Sequence, residues 1–158
     1  MIKLANFFVS LSFAGYIKII PPGTFASFLS IVILFPIVEY KIISLEIFVV
    51  IFFVIFLLSL FFINKFSSHN QSHDSKIIVI DEFLGIYLIL LFYYQIKIIN
   101  PYVTMMLIFI LFRFFDILKI FPANIIDKRL KSAFGVILDD LIAGIYTIII
   151  LYIVNAYY

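Results

Sequence analysis

Residues 47–64 read IFVVIFFVIFLLSLFFIN, an apolar run with no charge before Lys65. A bilayer crossing needs about 20 such residues, with a lower limit near 17. This run is therefore a membrane-spanning candidate by itself, and it limits what the rest of the chain can fold into. Four further apolar stretches lie at 25–38, 83–96, 102–118 and 141–156. These reach spanning length only when their polar ends are counted. The runs are long, lack strict alternation and contain few turn signals, which favours helices over strands. In lipid only helices or closed barrels satisfy the backbone, and a barrel needs the alternation that is missing here. The expectation is an all-α fold, a small polytopic membrane helix bundle forming one domain over residues 1–158. Five crossings are preferred, with four crossings plus a buried or shallow helix close behind.

Composition agrees. The chain is 66% hydrophobic and 13% charged, with a mean hydropathy of +1.27, which excludes disorder and argues against an ordinary soluble core. A formal charge of +2 without a basic stripe argues against nucleic acid as a partner. The absence of Cys removes disulfides, thiolate catalysis and Cys metal sites. His69 and His73 are the only histidines, so a zinc site would need carboxylates to complete it. The start, MIKLANFFVSLSF, is like a short signal peptide but lacks an Ala-x-Ala-like cleavage site. A retained short N-terminal helix, interfacial or partly buried, is expected.

The connections divide by charge. EYKIISLE (39–46) and QIKIINPY (95–102) are short and carry few charges. NKFSSHNQSHDSK (64–76) and KIFPANIIDKRLKSAFG (119–135) hold Lys65, Lys76, Lys119, Lys128, Arg129 and Lys131. Positive loops face the cytoplasm, which places these two loops there, together with the N-terminus carrying Lys3 and Lys18.

That topology brings polar residues together. Thr24, Asp81, Glu82, Asp116, Lys119, Asp139 and Asp140 all fall at the cytoplasmic ends of the predicted crossings. Arg113 lies one turn deeper, on the face of Asp116. A single Asp beginning a helix is usually a cap or a charge favoured by the dipole. That structural alternative weakens for two adjacent pairs, Asp81-Glu82 and Asp139-Asp140. It weakens again for Asp116, an acid at a helix C-terminal end that needs a cation. Arg113 and Lys119 could supply one as a plain salt bridge; a bound divalent ion accounts better for the surplus carboxylates. Ionisable groups at the membrane boundary are costly and point to function.

Mg²⁺ suits this set best, because it is hard, prefers oxygen and binds through carboxylates together with substrate phosphate. Arg113 and Lys119 suit a phosphoryl group, Arg by its bidentate fork and Lys as a point charge. Carboxylates, a metal and cations together suggest phosphoryl transfer. In PPGT (21–24), Gly23 could let backbone N–H groups approach an anion, and Thr24 could cap a helix or touch phosphate. Gly85 and Gly144, each one turn past a carboxylate pair, are read as helix-packing positions. His69 and His73 sit in a Ser-rich loop and read as solvated, and Asp74 as a cap.

Four segments, PPGT, IDEFLG (80–85), FRFFDILKIFP (112–122) and GVILDDLIAG (135–144), together resemble the motifs of the phosphatidylglycerophosphatase A family, in the family's order. The resemblance implies a Mg²⁺-dependent phosphatase. It would convert phosphatidylglycerophosphate to phosphatidylglycerol and inorganic phosphate at the bacterial cytoplasmic membrane. By motif, Thr24 matches the hydroxyl of the Pro-Gly-Thr signature, and Asp81 and Glu82 match the acidic pair before a glycine. Arg113, Asp116 and Lys119 match the central motif, and Asp139, Asp140 and Gly144 the last. Ile120 stands where the family usually has Pro, and Ser132-Ala133 where Gly is frequent; neither departure removes an ionisable group.

The site expected is thus catalytic Glu82, Arg113, Asp116, Lys119, Asp139 and Asp140, with substrate held by Thr24, Arg113 and Lys119. Metal would be held by Glu82, Asp139 and Asp140 first, with Asp81 and Asp116 next. The nucleophile is either a metal-activated water, slightly preferred, or a carboxylate. The implied partner is a phospholipid in the bilayer, and the sequence sets no oligomeric state. The rival readings are phosphatase action on phosphatidate or a polyprenyl phosphate, a cation transporter or channel, and a structural subunit. A transporter expects polar groups near the midplane, and the apolar runs carry almost none.

Overall fold

The computed structural model describes residues 2–17, 19–70, 75–98 and 100–157, leaving aside the side chains at 70, 127 and 128. Lys18, His73 and Asp74 lie outside the described residues, so the cytoplasmic placement of Lys18, the solvated reading of His73 and the capping reading of Asp74 do too.

Prolines begin two of the long helices. The first long helix starts at Pro22, where a missing N–H costs nothing because the first turn has no intrahelical acceptor for it. Pro101 begins another, and Asn100 caps it: its Oδ1 accepts from the Tyr102 N–H at 2.9 Å and the Val103 N–H at 3.4 Å. In chain order the helices are α1 (Ile2–Val9), α2 (Pro22–Glu39), α3 (Leu45–Asn70), α4 (Ile80–Leu91), α5 (Tyr93–Ile96), α6 (Pro101–Leu118), α7 (Ala123–Arg129) and α8 (Ala133–Tyr157). A 3₁₀ turn spans Ala14–Tyr16, and no strand occurs among the described residues. Loss of the Asn100 cap in Asn100→Ala should cost about 1 kcal/mol. Thermal unfolding in detergent would register it, with catalytic behaviour untouched.

Four helices, α2, α3, α6 and α8, are long and apolar enough to cross a membrane. Only 22% of the spanning window of α3 and 17% of that of α6 are buried in the protein, so most of their apolar surface is available to lipid. Three of their buried hydroxyls are satisfied within the helix: Ser30, Ser59 and Thr147 each donate to the carbonyl four residues back, at 2.6, 2.8 and 2.9 Å. That removes the cost of an unpaired polar group in hydrocarbon.

The third apolar stretch, 83–96, does not become one long helix. It breaks at Phe92 into the 12-residue α4 and the 4-residue α5. At 1.5 Å per residue α4 spans only about 18 Å, well short of a bilayer core of about 30 Å. Its apolar residues face protein instead of lipid. Leu84, Ile86, Tyr87, Ile89 and Leu90 are all buried, and α4 packs against α8, α2 and α3. A helix that is apolar all round belongs in a bundle's middle.

The broken α4–α5 unit still carries the chain from one end of the bundle to the other. Lys97 pairs with Glu39 at the end of α2 at 2.9 Å, and the Asn155 amide donates to the Gln95 carbonyl at 3.0 Å. The starts of α2, α4 and α8 and the end of α6 therefore share the opposite end. α1 packs on α3 there, with the Val79 N–H donating to the Val9 carbonyl at 2.9 Å.

Candidate active site at the acidic end of the bundle

α4 opens on Asp81 and Glu82, both in its first turn, where the helix dipole favours acids. α8 differs from the sequence expectation. It starts at Ala133, so Asp139 and Asp140 lie well inside the helix and are buried, at 6% and 4% exposure. They cap nothing. Ala133, Gly135 and Ile137 bury the first turns of α8 against the protein and so draw the pair inward.

Two close approaches set the distance between these helices. A Cβ placed on Gly144 would lie 3.0 Å from the Gly85 carbonyl oxygen. One placed on Gly85 would lie 2.6 Å from the Phe112 ring and 3.1 Å from the Asp140 carbonyl oxygen. The two glycines do pack helix on helix, and each is four or fewer residues from the carboxylates that the crossing brings together.

The consequence is a cluster. Carboxylate oxygens of Asp81, Glu82 and Asp140 lie within 4.8 Å of one another. One oxygen on each (Asp81 Oδ1, Glu82 Oε2 and Asp140 Oδ2) is buried with no hydrogen-bond partner among the described residues. Three like charges this close, with unpaired buried oxygens, repel one another and have lost water, so they need a cation or protons to compensate. An all-oxygen donor set of this charge fits a hard divalent cation such as Mg²⁺ and does not resemble a zinc site.

The remaining acids are held differently. Asp116 Oδ2 accepts from Arg113 at 2.6 Å across one helical turn, and Arg113 also stands 4.0 Å from Glu82 Oε1. Asp139 Oδ2 accepts from Lys119 Nζ at 2.7 Å. Lys119 ends α6 in the left-handed conformation, with φ 44°, where the chain leaves the helix. Sequence reasoning ranked Asp139 above Asp81 as a metal ligand, whereas the geometry pairs Asp139 with a lysine and groups Asp81 with Glu82 and Asp140.

Thr24 takes a lesser place than expected. The N-cap of α2 is Pro21, with no side-chain cap, so Thr24 sits inside the first turn. The hydroxyl that reaches the site from α2 is Ser27, which is fully buried, donates to the Gly23 carbonyl at 2.8 Å and lies 3.3 Å from Arg113. Sequence reasoning missed it. Its one signal is the four-residue spacing from Gly23, which puts both on one helix face. Gly23 itself leaves room for its neighbours, since a Cβ there would collide with Glu82 Oε1.

Two cavities open on this constellation. One, of about 170 Å³, is lined by Asp81, Glu82, Asp116, Lys119, Asp139 and Asp140, with Lys76 and Lys131 also on its wall. The other, of about 490 Å³, is lined by Glu82, Arg113 and Gly23 together with the apolar Ile19 and Ile20. Lys76, Ile78 and Glu82 line both, so the cavities share a wall. Thr24 lines neither.

Fold and site together define a multi-pass helical membrane protein with an acidic, cation-bridged cavity at one end of its bundle. The chain belongs to the phosphatidylglycerophosphatase A family, whose model matches residues 7–155. It is 31% identical to a phosphatidylglycerophosphatase A of Haemophilus influenzae over 134 residues, 85% of this chain and 78% of that protein. It is 30% identical to a phosphatidylglycerophosphatase A of Escherichia coli over 83 residues, 52% of this chain and 46% of that protein. No solved structure matches the chain.

Proposed function

We propose that this protein hydrolyses the phosphomonoester of phosphatidylglycerophosphate, giving phosphatidylglycerol and inorganic phosphate, with Mg²⁺ held by Asp81, Glu82 and Asp140. The observation that carries this reading is the trio of carboxylates that each bring an oxygen within 4.8 Å of the others and each hold a buried oxygen with no hydrogen-bond partner among the described residues, beside two cations suited to phosphate. Family membership supports the substrate, and the apolar helices support a substrate that stays in the bilayer.

Bound there, Mg²⁺ would supply charge neutralisation and acidify a coordinated water. The chain's own residues provide position. Arg113 and Lys119 hold phosphoryl oxygens, and Asp116 and Asp139 fix those two side chains through their ion pairs. Ser27 steadies the Arg113 guanidinium from α2. Water adds to phosphorus as the P–O bond to the headgroup glycerol breaks, and the departing oxygen takes up a proton. Thr24, which follows Gly23 in the chain and lines neither cavity, is left outside this division of roles.

The site faces the cytoplasm of a bacterial cytoplasmic membrane in this reading. Lys65, Lys76, Lys119, Arg129 and Lys131 all belong to the segments at the acidic end, as positive-inside placement requires.

The test of substrate is phosphate release by purified protein from phosphatidylglycerophosphate, with phosphatidate as an alternative and competing substrate. Preferential turnover of phosphatidylglycerophosphate is expected. Faster turnover of phosphatidate would reassign the substrate, and no release from any lipid phosphate would end the enzymatic reading.

A further inference from the structure

The two cavities differ in chemistry, and of the three residues at their seam Lys76 has no part in the reaction described above. The smaller holds the acidic trio and Lys119. The larger is lined by Arg113 and by the exposed apolar pair Ile19 and Ile20, with Ile19 94% exposed. A lipid whose terminal phosphate reaches the acidic trio must place the rest of its headgroup in that larger cavity, with its acyl chains leaving past the apolar lip. Phosphatidylglycerophosphate carries a second phosphate, the diester joining headgroup to diacylglycerol, so a second negative charge follows the first.

We infer that Lys76 is a specificity-determining residue that binds this diester phosphate, selecting a lipid with two phosphates over one with a single phosphate. This rests on the substrate reading above. Lys76 is the cation that lines both cavities. It is exposed and makes no ion pair among the described residues, whereas Arg113 is buried against Asp116 and Lys119 is paired with Asp139. The flexible stem of a lysine suits a diester that needs charge without a fixed bidentate geometry. Glu82, on the same shared wall, belongs to the acidic trio and so marks the boundary between the place of one phosphate and that of the other.

The experiment uses product inhibition, because phosphatidylglycerol keeps the diester and lacks the monoester, while inorganic phosphate mimics the monoester alone. In mixed detergent micelles, Lys76→Met should raise KM for phosphatidylglycerophosphate about tenfold and weaken inhibition by phosphatidylglycerol by a similar factor, the worth of one charge-assisted contact. Inhibition by inorganic phosphate should stay within about twofold of wild type, since twofold is about 0.4 kcal/mol. Lys76→Arg should restore most of the affinity for both lipids. A Lys76→Met protein with unchanged KM and unchanged inhibition by phosphatidylglycerol overturns the inference, as does equal weakening toward inorganic phosphate. A wild-type protein that turns over no phosphatidylglycerophosphate overturns the substrate reading first, and this inference with it.

Discussion

Asp140→Asn should abolish phosphate release, by ~100-fold or more, while the folded protein persists and even gains stability in the absence of metal. The loss is the cost of removing one charged group from a preorganised electrostatic site. The gain follows from the geometry: Asp140 Oδ2 is buried without a hydrogen-bond partner among the described residues, beside the carboxylates of Asp81 and Glu82. Removing one of three repelling charges relieves the metal-free fold. Metal reverses the order. A bound cation at 100 times its dissociation constant stabilises the native state by about 2.7 kcal/mol. Mg²⁺ should therefore raise the melting temperature of wild type clearly and that of Asp140→Asn little. Thermal unfolding with and without Mg²⁺, alongside the activity assay, reads all three effects. A structural cap would give none of this pattern, and Asp140 sits too far inside α8 to be one.

Gly85→Ala should lower activity far more than its effect on stability would suggest. The added methyl meets the Phe112 ring at 2.6 Å and the Asp140 carbonyl oxygen at 3.1 Å. The ring can give way; the α8 backbone at Asp140 cannot do so without carrying its carboxylate with it. Overpacking of this kind costs about 1–3 kcal/mol. Because a displacement near 1 Å at a reacting site costs on the order of 100-fold in rate, turnover should fall by that factor. Combining it with Phe112→Leu separates the two contacts. The double variant should recover most of the lost melting temperature but little of the lost turnover. Recovery of both together would mean that the α4–α8 crossing does not set the site.

Much of the architecture was legible because apolar length is a direct physical requirement of a bilayer. Residues 47–64 could be read as a crossing without any partner, and α3 contains them. The stretch 83–96 could not be resolved the same way. A segment apolar on every side looks identical whether lipid or protein surrounds it, and only packing shows that α4 fills the bundle's interior. The convergence of acids and cations at one end followed from topology. The division of labour within it did not. The Arg113–Asp116 pair could be anticipated from its three-residue spacing. The Lys119–Asp139 pair depends on a left-handed residue at the end of α6, which nothing in the local sequence announces. The placement of Asp140 with Asp81 depends on two glycines meeting across helices, and sequence alone gave the glycines but not their contact.

The proposed function requires a metal at the Asp81, Glu82 and Asp140 trio for phosphate release from a lipid phosphomonoester. Titrating Mg²⁺ into purified, chelator-stripped protein with phosphatidylglycerophosphate in micelles, for wild type and Asp140→Asn together, puts that requirement to the test. Wild type should be silent when stripped and recover along a saturable curve, and the variant should stay silent at any Mg²⁺ concentration. Full turnover by the stripped wild type, or Mg²⁺-driven recovery of the variant to wild-type rates, would contradict it.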